Sequence, residues 1–182
     1  DGSLWGQGRS SSYGNLGLNT GINRSSPTQI GGTGDWTGAT FAGGGVVMSV
    51  KSNGTAWAWG TGGYGSLGQN DKTQRSSPTQ IGTDTTWSST NGKIGGTMIS
   101  MFAIKTNGTL WSWGTNEYGE LGHNNYTDYS SPRQVGTNTT WASVTGGALF
   151  STGAVKTDGT LWTWGRNNYN QLGQNNGTEY SS

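Results

Sequence analysis

His123 is the only histidine in a chain of 182 residues that contains no cysteine. Thiol nucleophiles, thiolate zinc sites and a disulfide framework are therefore excluded at once. An imidazole can serve as general base or metal ligand, but the Leu-Gly-His motif around His123 recurs with Leu18, Gln69 and Gln174 in the histidine's place. The reading is a solvated loop histidine. No serine stands in a pattern with a histidine and an aspartate that would make a catalytic triad. Glu117 and Glu120 are the closest carboxylate pair, and two carboxylates flanking a sugar can hydrolyse a glycosidic bond. Three residues apart in a glycine-bounded turn, they are expected on the surface with no substrate between them. No catalytic residue, metal site or cofactor is expected, and the chain reads as a non-enzyme.

What remains is the chemistry of binding. Tyr126, Tyr129 and Tyr180 lie in polar loops that differ between copies of the motif, and a tyrosine ring offers apolar area with a polar tip. Together with His123, Asn124 and Asn125 they form the candidate ligand-binding loops. Ten Lys and Arg against nine Asp and Glu give a net charge of +1, with no run of like charges, so neither nucleic acid nor an anionic membrane is an expected partner. No apolar stretch approaches the roughly 18 residues of a membrane helix. Protein partners or neighbouring subunits are expected, with a surface glycan as the alternative.

These loops hang on a repeated frame. Lys105-Thr106-Asn107-Gly108-Thr109-Leu110-Trp111-Ser112-Trp113-Gly114 returns at Lys51–Gly60 and Lys156–Gly165, and its second half opens the chain. Trp5, Trp57, Trp111 and Trp162 are spaced by 52, 54 and 51 residues. Such intervals define repeats 1–52, 53–106 and 107–157 and a partial repeat 158–182. Asn-Gly or Asp-Gly between β-formers predicts a hairpin, here of type I′ with positive φ at both turn residues. Trp111 and Trp113, two apart, point to one face, with Leu110 and Ser112 on the other. Trp57, Trp111 and Trp162 are expected as equivalent buried indoles between packed units, and Lys51, Lys105 and Lys156 at solvated strand ends. With only 29% hydrophobic residues but ten tryptophans, each indole burying on the order of 200 Å², the core must be aromatic. Further short strands are predicted after Pro132, at Trp141–Val144 and at Leu149–Lys156. Four strands per repeat without helical periodicity predict an all-β chain of four-stranded antiparallel propeller blades, about three and a half of them.

The phrase Asp158-Gly159-Thr160-Leu161-Trp162-Thr163-Trp164-Gly165 with Gln171-Leu172-Gly173 resembles the regulator-of-chromosome-condensation repeat, and the resemblance covers essentially the whole chain. It implies a seven-bladed β-propeller but no single activity. Photosensing members carry Gly-Trp-Arg-His-Thr motifs, and no Trp-Arg pair occurs here. The Asn-, Gly-, Ser- and Thr-rich copies also look like repeats of bacterial surface proteins and bacteriophage structural proteins. The expected function is a structural or interaction propeller in a larger virion or cell-surface protein, serving adhesion or assembly at an extracellular or virion surface. The alternatives are a lectin-like carbohydrate-binding propeller and an enzyme inhibitor or regulatory protein-binding propeller. Four copies of the hairpin half against three of the other half preclude a regular ring of two such chains. Further repeats of a longer chain, or neighbouring subunits, are expected to complete it.

Overall fold

The computed structural model describes residues 1–10, 13–32, 34–42 and 44–181. Its described residues form thirteen strands and no helix. The first sheet pairs β1 (Leu4–Gly8) with β2 (Arg24–Ile30); the second holds β3 (Trp36–Ala42), β4 (Val46–Lys51), β5 (Ala56–Gly60) and β6 (Arg75–Gln80). The third holds β7 (Ile94–Gly96), β8 (Ser100–Ile104), β9 (Leu110–Gly114) and β10 (Tyr129–Gln134), and the fourth β11 (Trp141–Gly146), β12 (Ser151–Lys156) and β13 (Leu161–Gly165). Every pairing is antiparallel between strands consecutive in sequence. The sheets stand side by side as propeller blades, with β3 against β7 and β7 against β11. A sequence repeat such as 107–157 thus divides between two blades. It gives β9 and β10 to one and β11 and β12 to the next.

The strand after each proline begins earlier than the sequence suggests, and β2, β6 and β10 each contain their proline. All three are edge strands of their sheets, where the missing N–H leaves no ladder bond broken. The hairpin turn also differs from type I′. Asn53, Asn107 and Asp158 keep negative φ, and only Gly54, Gly108 and Gly159 lie at φ 78°, 79° and 84°. Gly54 N donates to Lys51 O at 2.9 Å and Lys51 N to Thr55 O at 2.9 Å, a type I turn closed by a left-handed glycine as a three-residue loop. The Asn prefers this because its carboxamide has local work: Asn53 Oδ1 accepts from Thr55 N and Thr55 Oγ1, and Thr55 Oγ1 accepts from Trp57 Nε1 at 2.9 Å. The relay repeats at Asn107–Thr109–Trp111 and Asp158–Thr160–Trp162.

That relay holds the first indole of each pair at the rim, which corrects the expectation that it fills the core. Trp57 and Trp111 are half-buried and Trp162 is 46% exposed. The second indoles, Trp59, Trp113 and Trp164, are the buried ones. Each crosses to the preceding blade: Trp59 Nε1 donates to Asn15 O at 3.0 Å, Trp113 Nε1 to Ser66 O at 2.9 Å and Trp164 Nε1 to Glu120 O at 2.8 Å. Trp36, Trp87 and Trp141 pack edge-on against both indoles of their own blade at 6.0–6.2 Å. As the alternation predicts, Trp113 joins the cluster shared with the second blade while Leu110, on the opposite side of β9, joins the cluster shared with the fourth.

Truncating Trp113 to alanine is expected to cost about 3–5 kcal/mol, the range for a fully buried aromatic. Trp111→Ala, at the rim, is expected to cost less than half of that. Urea unfolding of the two variants checks the order, and equal losses would contradict it.

Candidate binding surface

The candidate residues 123–129 and 180 do not form one outward-facing set. His123 is half-buried, not a solvated loop residue. Its Nε2 lies 2.9 Å from Ser112 Oγ and its ring meets Tyr129 edge-on at 5.1 Å. Ser112 is fully buried and donates its own proton to Leu121 O at 2.7 Å, so the hydroxyl accepts from His123 and is no nucleophile. The fourth blade repeats the arrangement without a histidine: Gln174 Nε2 donates to Thr163 Oγ1, which donates to Leu172 O. His123 therefore acts as a fixed N–H donor.

Asn125 braces the same loop, donating to His123 O and to Tyr129 Oη while its Oδ1 accepts from Thr127 N. Asn176 likewise donates to Tyr180 Oη at 3.2 Å, so Tyr129 and Tyr180 are equivalent bracing positions. Of the six candidates, Asn124, Tyr126 and Tyr180 are exposed, and Tyr180 is tied back by Asn176. The residues that build these loops went unnoticed in the sequence. Buried Asn116 accepts from Leu121 N and donates to Asn125 O, and buried Asn167 accepts from Leu172 N and donates to Asn176 O and Thr178 O. An asparagine following Gly-Thr or Gly-Arg at the strand end, 51 residues apart, was the available signal.

Tyr13, Tyr64 and Tyr169 were also missed. With Tyr126 they put a well-exposed tyrosine in the connection after β1, β5, β9 and β13: Tyr13, Tyr64, Tyr126 and Tyr169, the last 70% exposed. In the third blade, Tyr118 holds the repeated tyrosine position but is covered by Phe150 and Arg166, and the exposed tyrosine of that connection is Tyr126. Each of the four blades thus carries an exposed tyrosine in the corresponding connection.

The lysines are not merely solvated strand ends. Lys51 Nζ pairs with Asp35 at 3.1 Å and lies 4.7 and 4.9 Å from the rings of Trp36 and Trp57. Lys105 pairs with Asp84 and lies 4.9 and 3.8 Å from Trp87 and Trp111. Lys156 sits between Trp141 and Trp162 in the same way, with Asn138 where the acid would be. Burial would raise the Asp84 carboxyl, but hydrogen bonds from Lys105 and Thr86 outweigh it and hold the group at about 2.

The profile of the Regulator of chromosome condensation (RCC1) repeat matches residues 53–94, 107–153 and 158–182, more than half of the chain. The chain belongs to the RCC1 repeat family. Among curated relatives, the Ultraviolet-B receptor UVR8 of Arabidopsis thaliana is 29% identical over 145 residues, spanning 75% of this chain and 31% of the receptor. The mitochondrial RCC1 domain-containing protein RUG3 of the same plant is 31% identical over 135 residues, spanning 70% and 30%. The E3 ubiquitin-protein ligase HERC2 of Homo sapiens is 28% identical over 127 residues, which are 3% of its length. Among solved structures, Prp20p from Saccharomyces cerevisiae superposes with a TM-score of 0.80 over 98% of this chain and 45% of its own, at 15% identity. Human WBSCR16 gives 0.77 over 99% and 47%, at 20% identity. The chain spans a third or less of these curated relatives and about half of the solved propellers, and the structural likeness shows the fold alone. The RCC1 repeat supplies the frame.

One RCC1 blade carries two oppositely tuned groups. Glu120 is fully buried, not on the surface as its turn suggested; Tyr118 N donates to its Oε2, and its Oε1 has no partner among the described residues. Burial pushes its pKa up to about 7, with the charges of Asp128 and Glu117 adding to the shift. Burial and the Arg133 guanidinium push His123 down to about 4. Unfolded, Glu120 would release its proton near 4.5, so its contribution to stability falls as pH rises from there to about 7. His123 takes up a proton near 6.5 when unfolded, so its contribution falls as pH drops from there to about 4. The two slopes oppose each other. His123→Gln is expected to leave a stability that falls with rising pH across this window, and Glu120→Gln one that rises, with the parent protein flatter than either. Urea midpoints across the window check this; three parallel profiles would contradict it.

Proposed function

We propose that the chain is a non-enzymatic, protein-binding segment of a β-propeller, with its partner docking on the edge that carries Tyr13, Tyr64, Tyr126 and Tyr169. The observation that carries this reading is a well-exposed tyrosine in the corresponding connection of every blade. Tyrosine gives large contact area for little lost side-chain freedom and is enriched among residues that dominate interface energy. Rigid blades hold the connections that carry these rings, so little backbone ordering cost falls on binding. The reading agrees with relatives whose solved structures concern binding to Gsp1p and histones, and to Kap60. A match to about half the length of Prp20p supports a segment of a seven-bladed ring, completed by further repeats or by neighbouring subunits. The candidate loops join the same surface through Asn124 and Tyr126, with His123, Asn125, Tyr129 and Tyr180 shaping them. Placement at a virion or cell surface, serving adhesion or assembly, has no counterpart among the relatives named above and rests on the Asn-, Gly-, Ser- and Thr-rich texture.

The test compares proteins captured from an extract of the source cells by the protein and by its Tyr64→Ala, Tyr126→Ala, Tyr169→Ala variant. Loss of specific captured proteins from the variant, at unchanged melting temperature, is the expected result. With each hot-spot tyrosine worth about 1–2 kcal/mol, the triple change removes detectable binding. Identical capture by both proteins would overturn the proposal.

A further inference from the structure

Two clefts of the same construction open between the first and second blades and between the second and third, with volumes of about 440 and 530 Å³. That is the size of a small-ligand pocket. Their linings correspond place by place: Trp36, Trp57, Lys51, Gln29 and Asn19 in one, and Trp87, Trp111, Lys105, Gln80 and Asn70 in the other. The tyrosine edge takes no part in either.

The chemistry of the lining selects the ligand. Each lysine is neutralised by its own aspartate, Lys51 by Asp35 and Lys105 by Asp84, so neither cleft has an unpaired charge to offer an ionic ligand. The remaining polar groups are carboxamides and hydroxyls, carried on a main chain that is set in place. Asn19 and Asn70 are held at φ 57° and 60°, their backbone N–H groups each donating at 2.8 Å to the next blade, to Ser76 O and Ser130 O. Gln80 Nε2 donates to Gly82 O at 3.1 Å, which fixes the amide and leaves its oxygen as an acceptor. The same clefts are lined by two half- to fully buried indoles, with the neutralised lysine over their rings. Carboxamides beside indole carbon and a neutralised lysine suit a molecule with hydroxyls around its rim, some C–H surface and no charge. We infer that these two junctions are binding sites for a neutral saccharide unit. The two clefts give two sites. Repeated at one-blade spacing on a rigid frame, they would bind a branched or polymeric glycan with avidity.

The test titrates the protein with glucose, galactose, mannose, N-acetylglucosamine and N-acetylgalactosamine and their disaccharides, followed by calorimetry and by tryptophan fluorescence. Sialyllactose and a proline-rich peptide serve as charged and peptide comparators. At least one neutral sugar is expected to bind with a stoichiometry of two. Gln29→Ala or Gln80→Ala, both half-buried near the ends of edge strands, should each weaken one site by about tenfold, the effect of one lost hydrogen bond, with melting unchanged. The double variant should lose both sites. Saturable binding of none of the neutral sugars, binding indifferent to both substitutions, or preference for either comparator would each overturn the inference.

Discussion

An indole N–H taken out of water between two sheets must find an acceptor or cost several kcal/mol, and this chain meets that demand in the same way for the second indole of each Trp-x-Trp pair, whereas the buried Nε1 groups of Trp87 and Trp141 have no partner among the described residues. Trp59, Trp113 and Trp164 each donate to a main-chain carbonyl of the blade before, at Asn15, Ser66 and Glu120. The carbonyl comes within reach because the next two residues are Leu-Gly. The leucine fills the inter-blade core, and a methyl on the glycine would lie 2.7 Å from Trp59 Nε1 at Gly17 and 2.9 Å from Trp113 Nε1 at Gly68. Both glycines also sit near φ 70°, which a side chain would resist. Main chain accepts from the indole at each junction, so the identity of the accepting residue is immaterial to the bond. Asparagine, serine and glutamate all serve.

That independence leaves the loops free to differ while the blades remain alike. The same turn that supplies the carbonyl can hold a buried glutamate in one blade and a serine in another, and the loop beyond it can be braced by His123 or by Gln174. Other main-chain bonds tie the junction at its two ends. Trp87 N donates to Gly54 O and Asn70 N to Ser130 O, so the hairpin of one blade and the edge strand of the next are both held. A frame fixed at three places per junction presents its variable loops and clefts with little freedom, which is what a binding surface requires.

Much of this was legible in the sequence because it is written as spacing. The recurrence of Trp-x-Trp-Gly, Leu-Gly and Ser-Ser-Pro at near-constant intervals gave the repeats, the strands and the propeller. Spacing did not reveal which indole of each pair is buried, since Trp111 and Trp113 share a face and differ only in position along the strand. The threonine relay that detains Trp111 at the rim depends on turn geometry, and the turn was misjudged because Asn-Gly suits both type I′ and the glycine-closed type I loop. The site was less legible. Burial of Glu120 arises between blades, where Thr152 donates to its carbonyl and Lys93 reaches Trp141 O in the same way, 32 and 48 residues apart in sequence. The Asn116 and Asn167 braces and the Lys–Trp contacts lie within single blades, but they depend on how turns and strand ends fold back, which residue spacing does not display.

Hydrogen exchange of the individual indole N–H groups, followed by NMR, addresses the clasp most directly. If the Trp59, Trp113 and Trp164 bonds hold the blades together, these three indoles should exchange only on global unfolding, at rates that track overall stability. The rim indoles of Trp57, Trp111 and Trp162, bonded only to their own hairpin threonines, should exchange far faster by local opening. Exchange of Trp59, Trp113 and Trp164 as fast as that of the rim indoles would contradict the account.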